Sequence, residues 1–258
     1  MSHLIQTILI SYLFIVLVVL FDLKFKSGMW RELLLSSFLS LFQLLAIAFV
    51  ILYLLKLNIS FLNFGIVLLF FFNASVIAYR RLRPFPYSTL KTFSIVFLSI
   101  SLISSFSLFL LYLAGILKPT PTSLIPLAGI VTAAGMRSLS LAFRYFKTRL
   151  LDLQDILLGM FALGATDLQV FTYVFRSLID DITVPVRDMF RSAGIVHIPG
   201  VMVGLLLSGV FPVKAAAVQF AILSTMVFQF TFTPAAALFL LVSLFGLKIY
   251  PGGNNGEG

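Results

Sequence analysis

Long apolar runs punctuated by short clusters of cations set the pattern of this chain. Residues 4–21, 33–55, 59–79, 92–117 and 124–143 carry almost no charge. A helix needs about 20 apolar residues to cross a bilayer, so each run reads as one span. Between the first two stand Lys24, Lys26 and Arg31, and Lys56-Leu57-Asn58 closes the second. The third ends in RRLRPFPYSTLK, with Arg80, Arg81, Arg83 and Lys91 and two helix-breaking prolines. KPTPTS makes a polar, proline-rich turn after the fourth, and Arg144, Lys147 and Arg149 follow the fifth. A sixth span is expected over 193–210, interrupted at Pro199-Gly200. The last run, 214–247, has 34 residues and reads as one long span kinked at Pro234. The glycine-rich tail, 251–258, predicts disorder. No ten-residue alternating pattern suggests a barrel. The expected fold is all-α, a polytopic helical membrane protein with about seven spans, in a single transmembrane domain over residues 1–250.

The stretch 152–200 is the longest that does not read as plain membrane span. It holds six of the nine acidic residues: Asp152, Asp155, Asp167, Asp180, Asp181 and Asp188. Leu150, Leu153, Leu157 and Phe161 recur at helical spacing, which predicts one apolar helix face. Leu163-Gly164-Ala165-Thr166-Asp167 then breaks the period. Gly164 suits a sharp turn, and Thr166 with Gln169 has the spacing of a capping box opening a new helix. Helix, tight turn, helix is therefore expected over about 147–192, projecting from the membrane. A plain pair of interfacial amphipathic helices gives the same local pattern.

Composition agrees with the span reading. Of 258 residues 60% are hydrophobic and 10% charged, with mean hydropathy +1.12; soluble domains carry roughly 25% charged residues. The net charge of +9 is explained by loop cations that orient a membrane protein, without nucleic-acid binding. Lack of cysteine excludes disulfides and thiolate chemistry. No cationic segment precedes the first run and no small-residue cleavage pattern follows it, so a retained span is expected there. With the N-terminus outside and seven spans, fourteen Lys and Arg fall on the inner side and only Lys56, Lys118 and Lys214 on the outer. That bias puts 152–200 in the cytoplasm.

Polar groups within spans are costly and mark candidates. Gln43, Asn73, Gln219 and Gln229 can join helices by hydrogen bonds; Gln43, Asn73 and Gln219 can also line a translocation path. Arg137 lies well inside a span. It either snorkels toward the inner surface or lines a cavity that favours an anion, with Asp188 as a possible partner. His197 and Met202 flank the Pro199-Gly200 break and are a thin metal candidate, since two ligands do not make a site. Pro199 and Gly200 form either a passive kink or a hinge.

The ordered pieces Ile125-Pro126-Leu127-Ala128-Gly129, Leu163-Gly164-Ala165-Thr166, Pro185 with Asp188, Ile198-Pro199-Gly200-Val201-Met202 with Gly204, Ser208-Gly209-Val210 and Pro212-Val213-Lys214-Ala215 with Gln219 carry a resemblance. Phe72-Asn73-Ala74 and Gln43 extend it forward. With these pieces the chain resembles the FetB-like iron-export ABC transporter permease family, which includes plant aluminium-tolerance membrane proteins. The resemblance implies a permease in the plasma (inner) membrane with no nucleotide site or cofactor of its own. It implies a permease homodimer and a separate ATPase that hydrolyses ATP and docks on Leu163, Gly164, Ala165, Thr166 and Asp167. The chain has no G-x-x-x-x-G-K-[ST] motif, in keeping with a non-enzymatic transport subunit. A non-transporting membrane scaffold and an ion-coupled secondary transporter remain open beside it.

Overall fold

The computed structural model describes residues 2–57, 60–82 and 89–247. The loop around Arg83 and the tail expected to be disordered lie outside the described residues, as does Asn58. The described residues form helices throughout, apart from turns and one isolated bridge between Ala193 and His197. Two compact units are distinguished, Met1–Ile59 and Ser60–Gly258.

The first unit is a helical hairpin, α1 (Ser2–Phe25) and α2 (Trp30–Leu57). Its turn is held by Asp22, whose carboxylate accepts hydrogen bonds from the Trp30 backbone N–H at 2.8 Å and from the Ser27 hydroxyl. Lys26 and Gly28 take positive φ in that turn. Both helices are apolar around their circumference, with mean window hydropathies of 2.4 and 2.6. That pattern suits lipid contact.

The second unit contains α3 (Ser60–Leu82), α4 (Thr89–Leu113), α5 (Pro121–Asp152), α6 (Gln154–Ala162), α7 (Asp167–Ser192), α8 (Gly200–Leu207) and α9 (Pro212–Phe245). Side-chain pairs give their directions. Phe70 meets Gly129 while Ile77 and Met136 share a pocket, so α3 and α5 run parallel. Ile222 packs with Leu124 and Ala128, and Gln229 meets Gly135 and Ser138, so α5 and α9 also run parallel. Against α9, α7 runs antiparallel: Phe171 stacks near Phe239 and Phe190 near Phe220.

Two parallel helices joined in sequence require a return run between them. α7 makes that return. Its 26 residues rise about 39 Å, and its stripe Val170, Phe171, Val174, Leu178, Ile182 and Val186 is buried in the core. Here the structure differs from the sequence expectation, which put a span over 193–210. Residues 193–199 form a tight turn with Gly194 at φ +82°, and α8 has only eight residues, about 12 Å of rise. Among the described residues six helices are long and apolar enough to cross a membrane: α1 to α5 and α9. Window hydropathy passes over α7 because its outer face is charged.

A buried polar knot ties α4, α5 and α9 together. Gln229 is fully buried. It donates to the Ser107 hydroxyl at 2.9 Å and accepts from the Thr233 hydroxyl at 2.7 Å. Ser138 donates to the carbonyls of Gly135 and Gln229. Every polar atom of the Gln229 amide thus has a partner, which low-dielectric burial demands.

Candidate functional site

The first candidate is the turn between α6 and α7. α5 and α6 are separate helices broken at Leu153, yet Leu150 and Leu157 are both buried and Leu153 and Phe161 pack on the same core. α6 ends in a Schellman arrangement: the Gly164 N–H bonds to the Phe161 carbonyl and the Ala165 N–H to the Met160 carbonyl. Gly164 stands at φ +87°, a backbone region that L side chains rarely adopt. Thr166 then caps α7. Its hydroxyl accepts from the Gln169 N–H, and the Gln169 side chain accepts from the Thr166 N–H at 2.8 Å. The capping box is present as its spacing predicts. The turn presents an apolar residue to the outside, Leu163, which is 91% exposed. Asp167 lies beside Gly246 at the end of α9, so the turn sits at the end of the bundle where α9 finishes.

The second candidate is a cavity of about 880 Å³ between α3, α5, α7 and α9. Arg81, Arg137, Arg144 and Lys147 line it, with no Asp or Glu among the lining residues. Arg137 and Arg144 are seven residues apart on one face of α5, whose opposite face is buried. Asp188, the partner considered for Arg137, instead pairs with Arg191 at 3.8 Å. Asp180 pairs with Arg187 at 3.6 Å, and Asp181 pairs with Arg149 at 2.8 Å. Asp180, Asp181 and Asp188 of α7 are therefore each paired with an arginine other than Arg137.

Asn73 lines a smaller pocket of about 240 Å³ with Thr132, whose buried hydroxyl has no hydrogen-bond partner. Ile77 and Met136 line both pockets, so Asn73 and Arg137 are near neighbours along one groove. Gln219 is elsewhere. It is 5% exposed, and its side-chain oxygen accepts from the Met202 N–H at 3.1 Å, fastening α8 to α9. Gln43 belongs to α2 in the first unit and is exposed. Pro199 and Gly200 open α8 as N-cap and first residue, so they begin a helix and do not interrupt one. His197 is exposed in the preceding turn. Among the described residues no group of three His, Cys, Asp or Glu side chains is arranged to hold a metal ion.

Sequence reasoning did not single out Arg144, Lys147 or Thr132 as site residues. Arg144 and Lys147 were legible only as loop cations. The heptad step from Arg137 to Arg144 was the available signal for one face.

The model of the Uncharacterised protein family (UPF0014) matches residues 5–245. The chain belongs to this family. It is 27% identical over 224 residues to the "Probable iron export permease protein FetB" of Escherichia coli (strain K12), covering 85% of both chains. Over 189 residues it is 28% identical to the "Protein ALUMINUM SENSITIVE 3" of Arabidopsis thaliana, covering 72% of this chain and 67% of that one. It is 22% identical to "UPF0014 membrane protein YjkA" of Bacillus subtilis (strain 168), covering 94% and 92%. No solved structure matches. Among the described residues six helices are apolar and long enough to cross a bilayer, and together with these relatives they make the chain an integral membrane protein.

Proposed function

We propose that this chain is the permease subunit of an ATP-binding cassette transporter that exports iron or another metal, with ATP hydrolysed by a separate subunit. Its likeness to a protein named an iron export permease supports the transport reading. The observation that carries the ATPase partner is the exposed turn: an apolar Leu163 and a left-handed Gly164 held rigidly between a Schellman motif and a capping box. A preformed protrusion of that kind loses little entropy on entering a groove of a partner protein. In this reading Leu163, Gly164, Ala165, Thr166 and Asp167 pass ATPase closure to α7, and through α7 to α9. Asn73 lies along the path, Arg137 lines the cationic cavity beside it, and Gln219 holds α8 in place. The chain itself holds no cofactor.

In this reading seven alternating runs, counting α7, have the N-terminus outside and the docking turn in the cytoplasm, which the excess of cations outside α7 on that side supports. The charged face of α7, with Arg176, Asp180, Asp188 and Arg191 exposed, cannot rest against lipid. A second copy of the chain, or water in a path between two copies, would cover it. Co-purification tests the assembly. The tagged chain is expressed with an ATPase encoded beside it, and the ATPase is expected to come down with wild type and be lost with Leu163→Arg. Recovery unchanged by that substitution rejects docking at the turn.

A further inference from the structure

The cavity that carries Arg137 has two kinds of wall. One is cationic: Arg137, Arg144 and Lys147 on α5 and Arg81 at the end of α3. The other is apolar and pliant, with Met136, Phe143, Met189, Met226 and Phe230 among its residues. Arg137, Arg144 and Lys147 make no ion pair among the described residues, while Asp180, Asp181 and Asp188 of α7 pair with Arg187, Arg149 and Arg191. A bare metal cation entering here would meet like charge and no carboxylate. A small soluble anion would satisfy the cations but leave the apolar wall against water. An amphiphile with a phosphate head satisfies both walls.

We infer that this cavity is a binding site for an anionic phospholipid, its headgroup phosphate on Arg137, Arg144 and Lys147 and its acyl chain along the methionine- and phenylalanine-lined wall. Arginine forks match phosphate oxygens, and methionine side chains adapt to a flexible chain. Basic pockets between membrane helices on the cation-rich side are where anionic headgroups are held. Both α3 and α5 end in cations at this end of the bundle: Arg80 and Arg81 on α3, Arg149 on α5. Lipid in the cavity would contact α7 through Pro185 and Met189, the helix that follows the docking turn. This assignment names the ligand of the cationic cavity beside the path and rests on the permease reading only for its consequence.

Native mass spectrometry of the full chain in a neutral detergent tests it without the ATPase, so it can fail or hold independently of the docking proposal. Phosphatidylglycerol and phosphatidylcholine of identical acyl chains are titrated separately, and inorganic phosphate in a third series. Retention of phosphatidylglycerol is expected to exceed that of phosphatidylcholine at least fivefold. Arg137→Gln with Arg144→Gln is expected to remove the preference, while Arg176→Gln with Arg191→Gln on the outer face of α7 leaves it intact. Arg137→Lys with Arg144→Lys should retain part of it. Should the double glutamine variant fail to fold, Lys147→Gln is expected to halve the preference or more. Equal retention of the two lipids by wild type overturns the site. Saturable binding of inorganic phosphate without lipid preference overturns the lipid and leaves a soluble anion in its place. A dimer that carries no lipid and covers the cavity overturns it in favour of a second copy.

Discussion

A Cβ added at Gly135 on α5 would stand 2.8 Å from the side-chain oxygen of Gln229 on α9. The missing side chain of Gly135 leaves room for that oxygen, which is held in place by the Thr233 hydroxyl while the amide nitrogen reaches Ser107 on α4. Gly135→Ala is expected to destabilise the protein by about 1–3 kcal/mol, the usual cost of overpacking a fixed core. The loss should shrink in a Gln229→Ala background, where the obstructing atom is gone. Thermal unfolding of the four proteins in detergent forms the cycle, and full additivity would contradict the contact.

Thr166→Ala removes one half of the capping box on α7. A cost of about 1 kcal/mol in stability is expected. Leu163→Arg should leave stability unchanged, since Leu163 is exposed and nothing packs on it, while abolishing ATPase recovery. Gly164→Ala separates conformation from bulk. There is space around its position, but the positive φ is strained for alanine, so a loss of about 1 kcal/mol is expected. Unfolding midpoints measured beside the pull-downs distinguish docking from folding.

Asn73 and Gln219 are expected to part company. Gln219→Leu leaves the Met202 N–H without its acceptor and should loosen α8, read as faster amide exchange over 200–207. Asn73→Leu faces a pocket, and should lower metal flux in vesicles without moving the unfolding midpoint. Equal flux in wild type and Asn73→Leu would remove Asn73 from the path.

Arg149 and Asp181 form an ion pair at 2.8 Å, with both side chains more than a third exposed. Exposed pairs contribute about 0–1 kcal/mol. Arg149→Gln is therefore expected to cost no more than that, and less in high salt. A loss above about 2 kcal/mol would show that the pair lies out of reach of solvent.

The chain's class, its first five spans and the local form of the turn between α6 and α7 were legible in the sequence, because each depends on near neighbours. About 20 apolar residues suffice to define a span, and Thr166 recognises Gln169 only three positions away. Tertiary structure decided what depends on distant partners. α7 was hidden from hydropathy because its charged residues, among them Arg176, Asp180 and Asp188, offset a buried stripe that only the packing against α5 and α9 reveals. Gln219 and Asn73 are both polar residues in apolar helices and cannot be told apart until Met202 is seen bonded to one and a pocket beside the other. The cationic cavity is the clearest case. Arg81 and Arg137 are brought to one wall by the parallel course of α3 and α5, and Asp181, Asp180 and Asp188 of α7 are drawn off by Arg149, Arg187 and Arg191. Charge along a sequence is a sum, whereas charge in a cavity depends on which partners the fold leaves within reach.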